Sequence, residues 1–286
     1  MRTVYLNGEY IPDTEAKVSI FDRGFLFADA IYEVTLVLDG KLIDFPNHMQ
    51  RLKRSARELQ FPFVPDVDQL LEVHRELIRR NGLVDGQIYI QITRGNALDR
   101  DFAFPPADTP GTILMFTQVR TAALDQAMKS GKAVVTMADL RWQRSDIKTV
   151  QLLYSSIAKM EAGRKRADDA WLVRDGLITE GTNNNAFIVT KDGRLVTRPL
   201  STDILHGITR KAVLDCAKEM GLEFVERTFS VEEARQAKEA FSTSATTIVA
   251  AVTSIDGVVI GDGKPGPVGA KLREIYLRKG LDAAIG

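Results

Sequence analysis

"WQRSDIKTVQLLYSS", Trp142–Ser156, sets a lysine ahead of a largely apolar run. Lys148 stands one place before Thr149-Val150 and close to Leu152-Leu153, in a pattern that predicts a helix over about 149–166. An ammonium ion there begins to lose water, which lowers its pKa and makes it a nucleophile. A lysine at a helix N-terminus with its head in solvent fits the same letters. The meaning of Lys148 therefore depends on partners elsewhere in the chain.

Two segments supply candidates. In "LITEGTNNNAFIVTKDG", Leu177–Gly193, Glu180 lies between strand-like apolar flanks, at the mouth of a core, where a carboxylate needs a cationic or hydrogen-bonding partner. An ordinary polar hairpin loop is the alternative. In "ILHGITRKAVLDCAKEMG", Ile204–Gly221, Gly207 and Thr209 begin a helix that Gly221 stops. Its free N–H groups and the Thr209 hydroxyl make a phosphate seat, although Thr209 as a simple cap reads equally well. A nucleophilic amine, a carboxylate at a core mouth and an anion cup are what pyridoxal 5′-phosphate requires.

The rest of the chain limits the alternatives. Its 286 residues allow two domains or one large α/β unit. Thirty-eight basic residues balance 38 acidic ones, so neither nucleic acid nor a membrane surface is the expected partner. A small molecule or a second subunit fits better. Cys216, the single cysteine, sits in a helical pattern and reads as a buried hydrophobe; the chain shows no signal-peptide start and no transmembrane-length apolar run. The expectation is a soluble cytoplasmic protein.

Turn signals at Asn7-Gly8, Asp39-Gly40, Asp175-Gly176, Asp192-Gly193 and Asp256-Gly257 predict hairpins. Helical patterns lie between them: after Pro46, over Asp66–Arg80 before the Asn81-Gly82 stop, and over 207–220, 231–237 and 267–279. His74 falls on the apolar face of the second of these as a half-buried core residue. Hairpins mixed with helices argue for an α+β fold, not regular βαβ alternation. The domain connection is expected at "RTAALDQ", dividing a smaller α+β domain, 1–120, from a larger cofactor-anchoring domain, 121–286. The polar loop from Gly95 to Pro110 is long enough to carry function.

"GDGKPG", Gly261–Gly266, matches a dinucleotide fingerprint, yet too few residues follow it for the βαβ unit that motif requires, and it reads as a loop. Walker A, HExxH, paired CxxC and GxSxG patterns are absent, and three scattered histidines suggest no metal site.

The motifs "DRGFLFADAIYEV", "IYIQITRG", "RWQRSDIKTVQLL", "TEGTNNNAF" and "HGITR" together resemble the fold-type IV pyridoxal-phosphate enzymes, and within that group most resemble D-amino-acid aminotransferase. The resemblance runs from "VYLNGEYI" to "DGKPGPVGAKL" and implies a homodimeric two-domain α+β enzyme. Pyridoxal phosphate would lie between the domains, and the neighbouring subunit would lend the substrate loop.

Carried over residue by residue, the resemblance makes Lys148 the Schiff-base and proton-shuttling lysine, and Glu180 the partner of the pyridine nitrogen. By the same resemblance Arg51 would bind the phosphate, Ile208 and Thr209 would form its helix-terminal cup, and Leu205 would pack on the ring. On the same resemblance, Tyr32 would lie near cofactor and substrate. Two departures stand out. The second phosphate contact, a Gly/Ser-Thr pair in the family, is Ser244-Ala245 here, with Thr246 adjacent. The Arg-x-His pair that holds the substrate carboxylate is Arg100 and Phe102, in a loop one residue longer. Arginine grips a carboxylate with two bonds, whereas phenylalanine only shapes a wall. D-amino acids such as D-alanine are the expected donors and 2-oxo acids, 2-oxoglutarate or pyruvate, the acceptors. An (R)-amine transaminase is an alternative. A branched-chain enzyme fits less well, because Leu153 occupies the place of its usual tyrosine. A non-enzymatic binding protein on the same scaffold is the competing class.

Overall fold

The computed structural model describes residues 1–63, 65–119 and 130–286. The expected connection "RTAALDQ", Arg120–Gln126, lies outside the described residues. The chain forms two compact units. One comprises Met1–Arg120, Ile147–Gln151 and Leu281–Gly286, the other Thr121–Asp146 and Leu152–Gly280.

The first unit contains β1 (Thr3–Leu6), β2 (Glu9–Pro12), α1 (Arg23–Phe27), β3 (Ala30–Leu38), β4 (Lys41–Ile43), α2 (Phe45–Glu58), α3 (Val67–Asn81), β5 (Gly86–Thr93) and β6 (Ile113–Val119). Its six strands form an antiparallel sheet in the order β2-β1-β6-β5-β3-β4. Asn7-Gly8 and Asp39-Gly40 turn the two hairpins with both residues at positive φ, the conformation that Asn-Gly and Asp-Gly tolerate best. Strand alternation then divides the sheet. Ile88, Ile90 and Ile92 join Met49, Leu52 and Ala56 of α2 and Leu70, Val73 and Leu77 of α3 in one core. Tyr32, Tyr89 and Phe116 stack on the opposite face, with ring centroids 5.4 and 4.8 Å apart. α3 starts and stops where the sequence indicates: Asp66 accepts from Asp68 N and Gln69 N, and Gly82 ends the helix at φ 57°. His74 is fully buried, not half-buried, with Nδ1 2.7 Å from Leu70 O and its ring edge-on to Phe45.

The second unit contains β7 (Lys132–Ala138), α4 (Leu153–Arg164), β8 (Asp169–Arg174), β9 (Leu177–Gly181), β10 (Asn185–Val189), β11 (Leu195–Thr197), α5 (Ile208–Glu219), β12 (Phe224–Glu226), α6 (Val231–Arg235), β13 (Glu239–Ser244), β14 (Ile248–Ile255), β15 (Val258–Val259) and α7 (Pro267–Asp282). Its nine-stranded sheet runs β12-β11-β10-β13-β14-β7-β8-β9, with β15 on β14. The β14–β7 and β7–β8 pairs are parallel, and hairpins supply most of the rest. This is the α+β mixture implied by hairpin turns interleaved with helices. Cys216 is buried on α5 as expected. At "GDGKPG" the α7 N-terminus binds the protein's own Glu239 carboxylate, 3.0 Å from both Val268 N and Gly269 N. No described helix is long and apolar enough to cross a membrane.

One expectation fails at the lysine segment. The helix predicted from about 149 begins only at Leu153, and Leu152 and Leu153, part of the apolar run after the lysine, are 38% and 76% exposed. Residues 148–150 instead direct their main-chain bonds to the open edge of β3, with Tyr32 N donating to Lys148 O at 3.0 Å and Val150 N to Ala30 O at 3.2 Å. A chain extended along a strand edge cannot also turn as a helix.

Candidate active site

The first unit brings Lys148, Tyr32 and Arg51 onto β3 and its neighbours. Because Lys148 is bonded through its main chain to β3, its side chain lies over the strand: Nζ is 4.1 Å from the centroid of the Tyr32 ring. Its N–H points to Ser55 Oγ of α2, 3.4 Å away. Arg51, on the next turn of α2, is 7% exposed and donates through Nε and Nη2 to Glu33 at 2.7 and 2.8 Å. His48 Nδ1 lies 2.8 Å from the same carboxylate. Burial alone would raise the Glu33 pKa, but Arg51 and His48 hold it well below the usual carboxylate range. Glu33 is thus ionised and fixes the direction of the Arg51 guanidinium.

Arg100 and Phe102 lie on the long loop of this unit. Both are exposed, and the Arg100 guanidinium rests over the rings of Phe27 and Phe102 at 5.2 and 5.0 Å. Gly95 starts the loop at φ 92°, with the position of a Cβ only 1.9 Å from Pro110 O, so the two ends of the loop meet at a place that admits only glycine.

The second unit gathers Glu180, Leu205, Ile208, Thr209, Ser244 and Ala245. Glu180 ends β9 and is 3% exposed. It accepts from Arg141 Nη1, from Asn185 Nδ2 at 2.8 Å and from Leu205 N at 3.1 Å. Burial pushes its carboxyl up, against the pull of the Arg141 guanidinium. Every group hydrogen-bonded to it is a donor, so it is held as a carboxylate. Arg141 also binds Asp139 through Nε and Nη2 at 2.9 and 2.8 Å. Asp139 Oδ2 also lies 3.5 Å from Arg174 Nη2, and Arg174 and Arg198 both pair with Asp203, so Glu180 belongs to a network in which guanidiniums and carboxylates balance.

α5 begins without a side-chain cap: Gly207 is its N-cap and Thr209 is buried in its first turn. Asn185 ties this helix start to the carboxylate, because its Nδ2 also donates to Leu205 O at 3.0 Å, and a Cβ on Gly207 would lie 2.0 Å from its Oδ1. At the β13–β14 turn, Ser244 Oγ lies 2.8 Å from Thr247 Oγ1 and 3.4 Å from Thr246 Oγ1. A hydroxyl cluster persists although Ala245 contributes none.

These residues suit pyridoxal phosphate. The Glu180 carboxylate, buried and oriented by Arg141, Asn185 and Leu205 N, is an acceptor that a protonated ring nitrogen can donate to. The uncapped helix start and the hydroxyl cluster are anion donors. Sequence reading missed Glu33, Arg141, Asn185 and Thr247, which bond to expected residues, and His48 and Asp139, which bond to Glu33 and Arg141 in turn. Arg141 and Glu33 stood within recognisable motifs, but their partners Glu180 and Arg51 lie 39 and 18 positions away.

Known proteins resemble this chain over nearly its whole length. The family described as Amino-transferase class IV matches residues 30–255. A D-alanine aminotransferase of Staphylococcus haemolyticus is 39% identical over 96% of both chains, and that of Bacillus licheniformis is 38% identical over 93% of this chain and 92% of its own. Among solved structures, the branched-chain amino acid aminotransferase of Escherichia coli superposes with a TM-score of 0.89 at 28% identity, over 98% of this chain and 94% of that one. A branched-chain amino acid aminotransferase of T.th., solved with pyridoxamine 5′-phosphate, gives 0.89 at 27% identity, over 97% and 93%. The chain belongs to the class IV aminotransferase family.

Proposed function

We propose that the protein is a pyridoxal-phosphate-dependent aminotransferase that moves the amino group of a D-amino acid, such as D-alanine, to a 2-oxo acid such as 2-oxoglutarate or pyruvate. The observation that carries this reading is the 39% identity to a D-alanine aminotransferase over 96% of both chains, against 28% to the branched-chain enzyme. When bound, pyridoxal phosphate supplies an electrophilic carbon for the amine and a ring that draws electrons from the substrate Cα.

The chain's own residues do the rest. Lys148 holds the cofactor at rest; during turnover it takes the proton from the donor's Cα and returns one to the acceptor's Cα. Glu180, kept ionised by its ring of donors, holds a proton on the pyridine nitrogen. Arg51, the N–H groups of Ile208 and Thr209, the Thr209 hydroxyl and the Ser244-Ala245 turn bind the phosphate, while Leu205 packs on the ring. Tyr32, Arg100 and Phe102 face the substrate, with Arg100 gripping its carboxylate. The working form is a homodimer in the cytoplasm.

Phe102 in place of a histidine favours a second reading, in which an apolar wall admits (R)-amines. Half-reactions with D-alanine, L-leucine and (R)-1-phenylethylamine, each followed by bleaching of the cofactor band, separate the readings. D-alanine is expected to react fastest, and reaction with L-leucine but not D-alanine overturns the proposal. Lys148→Ala is expected to be colourless, and size-exclusion chromatography with light scattering tests the dimer.

A further inference from the structure

Arg23 is 4% exposed, at the start of α1, and is not among the residues assigned above to cofactor or substrate. Its Nη1 donates to Asp101 O at 2.7 Å and to Ala103 O at 3.1 Å, the carbonyls on either side of Phe102. Its Nε binds Asp29 Oδ2 at 2.8 Å, and the same oxygen accepts from Arg94 Nε at 2.8 Å. Arg94, 3% exposed, extends its other nitrogens to Leu59 O and Gln60 O and lies 3.8 Å over the Phe104 ring. The Phe27 ring sits against two guanidiniums, 4.6 Å from Arg23 and 5.2 Å from Arg100. It also meets Phe102 edge-on at 5.5 Å.

We propose that Arg23, oriented by the Asp29 carboxylate that it shares with Arg94, is the positioning residue of the substrate loop, fixing Arg100 and Phe102 and thereby affinity for carboxylate-bearing donors. Two carbonyls gripped by one buried nitrogen fix the main chain at Phe102, two residues after Arg100. Phe27 then gives the Arg100 guanidinium a ring to rest on, which reduces the side-chain freedom lost when it binds an anion. A loop of this length without such an anchor would sample many conformers. This role rests on the reading of Arg100 as a substrate contact.

The test is Arg23→Lys in the holoenzyme, which keeps a cation but loses the fork that binds Asp29 through Nε while Nη1 holds the two carbonyls. Loss of charge-assisted bonds predicts amide hydrogen exchange over residues 98–104 faster by about tenfold, and a similar rise in KM for D-alanine with kcat held within about threefold. Unchanged exchange, or a fall in kcat at constant KM, overturns the proposal. Phe27→Leu keeps all the Arg23 hydrogen bonds and serves if the lysine variant does not fold. Its KM increase and that of Arg100→Ala are expected not to add, and full additivity overturns the coupling through the ring. Wild-type protein inert toward D-alanine would end the donor assignment, whereas the exchange data alone decide the anchor.

Discussion

Glu33 clasps the Arg51 guanidinium through two bonds, 2.7 Å to Nε and 2.8 Å to Nη2, with no solvent exposure of its own. Removing one partner of such a buried pair costs about 3–5 kcal/mol, because the other charge is left without a counter-ion. Glu33→Gln is therefore expected to lower the urea midpoint and to weaken pyridoxal phosphate binding, since Arg51 loses its direction. The pH dependence has a definite sign. Because the folded pKa of Glu33 is lowered, the stabilisation is complete above the unfolded value of about 4.3 and declines as pH falls below it. Glu33→Gln should flatten that acid limb; a loss under about 1 kcal/mol would show that the pair does not anchor Arg51.

His74 gives a second acid effect of different origin. Burial lowers its pKa from 6.5 to about 4, and its Nε2 has no partner. The folded state keeps the ring neutral while the unfolded chain takes up a proton, so stability falls as pH drops from 6.5 toward 4. The predicted loss is about 3 kcal/mol over that window. His74→Leu, which removes the proton site and leaves no new polar atom unpaired, is expected to abolish this part of the slope in urea titrations between about pH 4 and 7.

At the start of α5, Gly207 and Asn185 are close enough to be tested as a pair. A Cβ at 207 would displace Asn185 Oδ1 from 2.0 Å, and Asn185 is the side chain that joins Glu180 to Leu205 O. Gly207→Ala is expected to cut cofactor affinity about tenfold or more, since one strong bond at Glu180 and the helix start shift together. In Gly207→Ala/Asn185→Ala the collision is gone, so the double variant should lose less than the sum of the singles. Additive losses in a fluorescence titration with pyridoxal phosphate would mean that the two positions act independently.

Turns and helix ends were the most legible features of the chain. Asn7-Gly8, Asp39-Gly40, Asp175-Gly176 and Asp256-Gly257 all adopt positive φ at both residues, and Asp66 and Gly82 bracket α3. These are short-range effects carried by the residues themselves. Lys148 illustrates the limit. Its apolar sequel has the composition of a helix, but the open edge of β3, more than a hundred residues earlier in the chain, captures its main chain first. The same limit hid Arg141: its bond to Glu180 spans 39 positions, and no periodicity links them. Glu33 was hidden differently, since a carboxylate on the core face of a strand looks like a pattern error until Arg51 and His48 come to it from α2.

The β13–β14 turn carries the remaining prediction. Ala245 supplies no hydroxyl where the family resemblance leads one to expect a threonine, yet Ser244 Oγ has Thr247 Oγ1 at 2.8 Å and also accepts from Thr247 N at 3.2 Å. Arg273 Nη1 donates to Thr247 O at 2.8 Å, which fixes the turn from behind. A hydroxyl held in this way is already oriented before an anion arrives, whereas a new one at 245 would have to be ordered on binding. Thr247→Ala is therefore expected to weaken pyridoxal phosphate binding by about tenfold, the worth of one hydrogen bond to a charged group, and Ala245→Thr to strengthen it by less than about threefold. Equilibrium dialysis of both variants decides the point: a larger gain at 245 than loss at 247 would show that the missing hydroxyl, and not the Ser244–Thr247 pair, limits the phosphate site.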